Sequence, residues 1–294
     1  MHAVLSFIKK ILYSIVCYFR GDIILNSWTY YGVLYKANNN FGDDINVPII
    51  KALTGKNVSV YNSVWTKKQN LLCIGSVVEK YCNKNSIIWG SGAMHGNRKL
   101  KDKPLKVFAV RGPLTEKYLK EQGVDCPSIY GDPALLLPCI YRPEIVKKHK
   151  IGIIPHYLDY DLPHVESYRE SHPDVLFIKL KDYSSWTDVI DQIVSCEYII
   201  SSSLHGLIVS DAYGVPNVRV KFSNLIDGGD FKYKDYMGGV NREYREPVDC
   251  QSDIDLKAIL EEFIYYKPID FNVDKLISAF PYKINKKLWE RKFA

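Results

Sequence analysis

Residues 201–206 read Ser-Ser-Ser-Leu-His-Gly and follow the apolar run Tyr198-Ile199-Ile200. Hydroxyls and backbone N–H groups at a helix start form a seat for phosphate or carboxylate. A histidine in the first turn, His205, can donate to such an anion or carry a proton near neutral pH. Spacing alone leaves two readings open for Ser202, Ser203, His205 and Gly206. They form an anion site, or the serines cap a helix ahead of a packed histidine. Four more clusters stand where apolar runs give way to polar residues: Gly90-Ser91-Gly92, Arg111-Gly112-Pro113, Gly131-Asp132-Pro133 and Pro155-His156-Tyr157. Ligands of open α/β sheets bind beyond strand ends, so these clusters together favour one convergent site.

Arg111 lies between an apolar run and a proline-started helix, a position that directs its guanidinium into a cleft. The planar fork suits carboxylate or phosphate, and a surface salt bridge is the alternative. His156 holds the matching place after Gly152-Ile153-Ile154-Pro155. The stretch Asn40-Phe41-Gly42-Asp43-Asp44-Ile45-Asn46 sets acids and amides on a glycine-permitted turn, chemistry that fits sugar hydroxyls and helix capping alike. Asp159-Tyr160-Asp161 matches the DxD spacing of metal-dependent glycosyltransferases, but so short a match carries little weight, and no metal site is expected. Asp132 is either a supporting acid or part of a plain Gly-Asp-Pro turn. Walker, G-x-G-x-x-G and G-x-S-x-G patterns are absent, which removes the ATP, dinucleotide and serine-hydrolase readings.

These side chains need strands that end and helices that begin beside them. Apolar runs predict strands at residues 23–28, 70–74, 86–89, 106–110, 150–154, 175–180, 198–201 and 217–220. Helical spacing predicts helices at 46–53, 113–122, 186–196, 203–213, 256–263 and 275–292, the first capped by Asp43 or Asp44. Such alternation implies an α/β fold with parallel sheets covered on both faces. Prolines and basic residues interrupt the pattern at 138–150. The expected parts are an N-terminal helix (1–21), a Rossmann-like domain (22–142) and a second Rossmann-like domain with C-terminal helices (143–294). By analogy with many sugar-modifying transferases, the pair is GT-B-like, with the cleft between the domains.

The chain has 294 residues, 47% of them hydrophobic, enough for two cores. A net charge of +6 suits anionic small molecules or an anionic membrane surface, and no basic run or finger spacing points to nucleic acid. Seven cysteines without C-x-x-C spacing read as reduced thiols of a cytoplasmic protein. Within residues 4–20, Leu5, Ile8, Leu12, Ile15, Val16 and Phe19 share one side of a helix, and Lys9, Lys10 and Arg20 the other. The mid-segment lysines argue against a membrane span. Two readings remain, a helix on the inner leaflet surface or one docked on its own domain.

In chain order, Asn40–Asn46, Gly90-Ser91-Gly92, Val110-Arg111-Gly112-Pro113, Gly131-Asp132-Pro133-Ala134, Ile154-Pro155-His156 and Ser202-Ser203-Leu204-His205-Gly206 resemble the polysaccharide pyruvyltransferase family over residues 38–222. The resemblance implies two Rossmann-like domains and transfer of pyruvate from phosphoenolpyruvate onto a sugar as a cyclic ketal. Phosphoenolpyruvate is then a co-substrate, no separate cofactor is implied, and the acceptor is a sugar of a surface polysaccharide or its lipid-linked precursor. It assigns Arg111 and His205 to catalysis at the donor, with His205 as acid/base. His156, Ser202, Ser203, Gly206 and Lys221 join them in binding phosphoenolpyruvate, and Asn40, Asp43, Asp44, Asn46 and Gly92 face the acceptor. Many relatives carry arginine where this chain has Ser203, so either Lys221 or Arg219 is expected to supply that charge, or the serine hydroxyls and the helix N-terminus suffice without it. The competing readings are a GT-B glycosyltransferase using a nucleotide sugar and a non-catalytic glycan-binding module.

Overall fold

A computed structural model describes residues 21–28, 40–61 and 68–285, together with Leu5, Ile11, Leu12, Ile15, Val16 and Phe19. Strands β1 (Ile23–Leu25), β2 (Val58–Val60), β3 (Asn70–Leu72), β4 (Ser86–Trp89) and β5 (Lys106–Ala109) form a parallel sheet in the order β2-β1-β3-β4-β5. Strands β6 (His149–Ile154), β7 (Leu176–Phe177), β8 (Cys196–Ser201), β9 (Asn217–Lys221) and β10 (Val248–Asp249) form a second, in the order β7-β6-β8-β9-β10. Both orders are the same doubly wound pattern, second-first-third-fourth-fifth. Each sheet therefore has a switch point between its first and third strands, where the crossovers diverge and leave a crevice.

The helices are α1 (Phe41–Asp44), α2 (Asn46–Thr54), α3 (Val78–Tyr81), α4 (Pro113–Glu121), α5 (Leu137–Ile140), α6 (Pro163–Ser171), α7 (Trp186–Val194), α8 (Leu204–Ala212), α9 (Phe231–Gly239), α10 (Leu256–Glu262) and α11 (Val273–Ser278). The central strands β3 and β4 are buried throughout, as continuous apolar runs covered on both faces must be. One apolar cluster holds Leu25, Leu71 and Trp89 of the first sheet together with Ile154 and Ile199 of the second. The C-terminal segment returns to the first sheet: Trp89 Nε1 donates to the Leu276 carbonyl (2.9 Å), and Asn285 N–H to that of Leu53 (2.7 Å).

Several elements depart from expectation. The edge strand β7 stops at Phe177, and the chain then crosses to the other half. There the Phe41 N–H donates to the Leu180 carbonyl (2.9 Å), and Asn40 bridges Lys181. The helix expected at 275–292 ends at Ser278, because Pro281 brings no N–H to continue it, and residues 286–294 lie outside the described part. Neither Asp43 nor Asp44 caps α2; Asn40 stands at the cap position of the preceding turn α1, which leaves the two acids inside that turn. Helices α6 and α9 and strands β2 and β10 were not expected from the apolar pattern. The predicted helix at 4–20 falls mostly outside the described residues. Its six described positions are helical, and Leu5, Leu12, Ile15, Val16 and Phe19 are exposed. No described helix is long and apolar enough to cross a membrane.

Candidate active site

A pocket of about 380 Å³ opens at both switch points at once. Beyond the carboxyl ends of β1 and β3 it is lined by Trp28, Gly75 and Ser76. Beyond those of β6 and β8 it is lined by His156, Tyr157, Ser203 and His205. The helical turn α1 adds Asp43, with Asn40 at its cap, and the start of α9 adds Lys232. This is a ligand-sized cavity at the place where doubly wound sheets bind ligands, presented by two sheets to one space.

The wall from the second sheet is built for negative charge. Lys232 is 7% exposed; its ammonium donates to the Asp227 carbonyl (3.0 Å) and, among the described residues, forms no ion pair. Burial, then the charges of Arg111 and Arg219, push it down to about 8. Burial, then Arg111 and Lys232, push the His205 imidazole down to about 3. Burial, then Lys232 and His205, do the same to His156, also to about 3. Both rings are thus neutral in the open pocket at neutral pH. His205 Nε2 is inaccessible and, among the described residues, has no hydrogen-bond partner. The Asp227 and Asp159 carboxylates offset the Lys232 ammonium only in part, and a buried charge without an ion-pair partner is costly, which favours an anion in the pocket.

Ser203 sits at the N-cap position of α8, yet its side chain makes no capping bond. Its N–H donates to Ser201 Oγ (3.0 Å), so Ser201 is the serine that ties the turn, and it also donates to the Ile154 carbonyl (2.9 Å). Ser202 is buried behind the wall: its Oγ accepts from the His156 N–H (2.9 Å) and donates to Asp159 Oδ2 (2.6 Å). Asp159 also takes the Ser223 hydroxyl, so the first acid of the DxD match braces this turn. Gly206 is packed against Ser201, where a Cβ would lie 2.3 Å from Oγ.

Sequence spacing directs Arg111 into the cleft, but the structure places its guanidinium beneath the pocket floor, closed to solvent. Nε donates to Asp235 Oδ2 (2.9 Å), Nη2 to the Ala93 carbonyl (2.7 Å) and Nη1 to Ser76 Oγ. Asp235, from α9, also accepts from Thr115 N–H (2.8 Å) and Thr115 Oγ1 (2.7 Å), so its carboxylate occupies the anion position at the start of α4. The pocket receives Arg111 through its field and through Ser76, whose oxygen it holds. Gly92 passes so close that a Cβ would lie 2.3 Å from the Arg111 Cζ, which accounts for glycine there.

On the first-sheet wall, Asp43 is 6% exposed, and burial followed by the charge of Asp44 pushes its carboxyl up to about 7. Asp44 turns away to take the Tyr183 hydroxyl. Asn46 is fully buried and acts as a bracket. Its Nδ2 donates to the Asp43 carbonyl (2.9 Å), and its Oδ1 accepts the Ile74 N–H (2.8 Å), fixing the acid turn to the end of β3. Gly42 abuts His205, where a Cβ would lie 2.1 Å from Nδ1.

The structure therefore brings Asn40, Asp43, His156, Ser203 and His205 to one pocket. It sets Arg111, Asp44, Asn46, Gly92, Ser202 and Gly206 in the layer behind. Lys221 ends β9, where it pairs with Asp249 of β10, away from the pocket lining. Arg219 is committed to Asp230 (2.6 Å) and lies over the Tyr233 ring (3.6 Å). Exposed Lys181 lines the pocket, but the buried cation on that lining is Lys232. Its only sequence signal was a lysine in Phe231-Lys232-Tyr233-Lys234, and Ser76 had the weak signal of Gly75-Ser76 after an apolar run. A smaller cleft of about 170 Å³ beside Tyr265 has its arginines already paired, Arg242 with Asp211 and Arg245 with Glu262.

A family model described as polysaccharide pyruvyl transferase matches residues 1–224. The chain is 34% identical over 182 residues to an uncharacterized protein of Acanthamoeba polyphaga mimivirus, covering 58% of this chain and 60% of that one. It is 26% identical over 228 residues to the succinoglycan biosynthesis protein ExoV of Rhizobium meliloti (strain 1021), covering 75% of this chain and 69% of that one. The chain thus spans less than two thirds of the viral relative's length.

Proposed function

Because the chain belongs to the polysaccharide pyruvyl transferase family, we propose that it transfers the pyruvyl carbons of phosphoenolpyruvate to a sugar as a cyclic ketal. The acceptor in this reading is a unit of a surface polysaccharide or of its lipid-linked precursor. The observation that carries it is the Lys232 ammonium, buried with no ion-pair partner among the described residues beside two neutral histidines. That wall fits a small, multiply charged donor bearing phosphate and carboxylate. Residues 143–294 supply the donor side and 22–142 the acceptor side, with Asn40, Asp43 and Ser76 offered to sugar hydroxyls.

In the proposed chemistry, Lys232, His156 and the Ser203 hydroxyl hold the donor anion. Burial, and then Arg111 and Lys232, keep His205 neutral; the bound negative charge offsets those cations and favours the protonated imidazole, so His205 gains a proton on donor binding. His205 delivers that proton to the donor methylene, and a sugar hydroxyl attacks the adjoining carbon. Phosphate leaves, a second hydroxyl closes the ring, and the preorganised cations stabilise charge throughout. Arg111 acts from below as a positioning residue for Ser76 and as a fixed positive field on His205. The scheme uses phosphoenolpyruvate as co-substrate and no other cofactor.

Exposed Leu12, Ile15, Val16 and Phe19, with Lys9, Lys10 and Arg20 nearby in sequence, fit the surface of an anionic leaflet carrying a lipid-linked acceptor. Donor identity is tested by thermal stabilisation, since a ligand of the native state raises the melting temperature. Phosphoenolpyruvate is expected to stabilise the protein and nucleotide sugars to leave it unchanged. The opposite pattern would replace this reading with a nucleotide-sugar glycosyltransferase.

A further inference from the structure

We infer that Asp43 is the base that takes the proton from the attacking sugar hydroxyl, an inference that rests on the pyruvyl-transfer reading above. Asp43 lines the pocket on the first-sheet wall, whereas Lys232, His156 and His205 line it from the second. An anionic donor drawn to the second wall leaves the first for the acceptor. Among the described residues, Asp43 is the buried carboxylate that lines that side, since buried Asp44 turns to the Tyr183 hydroxyl. Its backbone is clamped by Asn46, and its neighbour Gly42 abuts the His205 ring.

The groups around Asp43 are Asp44 on its own turn, with Tyr183 behind, the Trp28 N–H, and His205 from α8. Lys181, Asp227, His156 and Lys232 stand around the same pocket. No cation forms an ion pair with Asp43 among the described residues. Burial and the Asp44 charge leave its carboxyl exchanging a proton near pH 7, where a hydroxyl base is effective. Asn40 and Ser76 sit beside it as hydrogen-bonding groups for neighbouring hydroxyls.

In the step assigned to Asp43, the sugar O–H bond breaks and its proton passes to the carboxylate. The oxygen pair forms the bond to the central carbon of the donor. The donor C=C pair takes a proton at the methylene from His205. In the following step the carbon–phosphate oxygen bond breaks, the second hydroxyl adds, and its proton leaves with phosphate.

The test is the pH dependence of phosphate release from phosphoenolpyruvate with acceptor, in wild type, Asp43→Asn and Asp43→Glu, alongside calorimetric donor binding. Wild-type kcat/KM is expected to rise with pH through about 7. Asp43→Asn should lose about 10²–10⁴-fold in kcat, keep donor affinity and lose the rising limb, and Asp43→Glu should restore part of both. A limb that survives in Asp43→Asn, or a loss below about tenfold, overturns the assignment. Should Asp43→Asn not fold, the ¹³C carboxyl signal of Asp43 in wild type decides: a midpoint near pH 7 supports it, and one below about 5 overturns it. Wild type that releases no phosphate with any acceptor overturns the pyruvyl-transfer reading instead, and the carboxyl titration still reports on Asp43.

Discussion

The Arg111 guanidinium and the Asp235 carboxylate meet 2.9 Å apart, both closed to solvent, although 124 residues separate them in the chain. This pair joins the end of β5 to α9, and α9 in turn carries Lys232 into the pocket. Removing one partner leaves the other as an uncompensated buried charge. Asp235→Ala is therefore expected to destabilise the protein by about 3–5 kcal/mol, measured by denaturant unfolding. A loss below about 1 kcal/mol would show that water or another acceptor compensates Arg111.

Lys232 should behave in the opposite way. Lys232→Met removes a buried charge that Asp227 and Asp159 offset only in part, so stability should hold or rise. Donor affinity should fall by about 10- to 100-fold, the worth of a charge-assisted hydrogen bond. In wild type, donor affinity should weaken as pH rises past about 8, where the ammonium loses its proton. Calorimetry across pH measures both, and an unchanged affinity in Lys232→Met would remove Lys232 from the donor seat.

Gly42→Ala adds a Cβ 2.1 Å from the present His205 Nδ1, so the ring must move. Overpacking of this kind destabilises by about 1–3 kcal/mol. Turnover should fall far more than that stability loss implies, because a displaced acid misses its target. Near-normal turnover in a folded Gly42→Ala protein would contradict the placement of His205 at the reacting atoms.

Asp132 gives a pH-dependent stability effect with a defined sign. Burial pushes its carboxyl up to about 7, although the Ala134 N–H and Arg111 pull the other way. A raised native value stabilises the fold fully below the unfolded value near 3.8, and this contribution is lost as pH rises toward 7. Asp132→Asn keeps an acceptor for the Ala134 N–H (2.9 Å) and never ionises. Its melting temperature should exceed that of wild type at pH 8 and match it near pH 4. Equal melting temperatures at both pH values would contradict the burial argument.

The N-terminal segment is tested by liposome flotation. Deleting residues 1–20 is expected to abolish binding to anionic vesicles and to leave phosphoenolpyruvate binding unchanged. Flotation that persists without those residues would place membrane contact elsewhere.

Much of this architecture is legible in the sequence because the buried strands are continuous apolar runs that end in polar clusters. β4, β6 and β8 fall where such runs predict them, and His156, Ser203 and His205 follow from their ends. What escaped depends on contacts between distant parts of the chain. α9 has no strong apolar stripe, so nothing in the sequence tied Lys232 and Asp235 to a site until that helix packed against the start of α4. Arg111 had the residue type and the strand-end position of a ligand contact, but a buried aspartate from the other half claims its guanidinium. Ser203 stands where the family resemblance leads one to expect a cation. The pocket gains its buried positive charge from α9, through a residue that local spacing cannot connect to position 203.

The most direct test of pyruvyl transfer is mass spectrometry of surface-polysaccharide oligosaccharides incubated with the protein and phosphoenolpyruvate, with released phosphate measured in parallel. The account predicts an acid-labile pyruvyl ketal on the sugar and an equal amount of phosphate, both lost in His205→Ala. Unmodified sugar and no phosphate with every acceptor, or sugar extension from a nucleotide sugar instead, would contradict it.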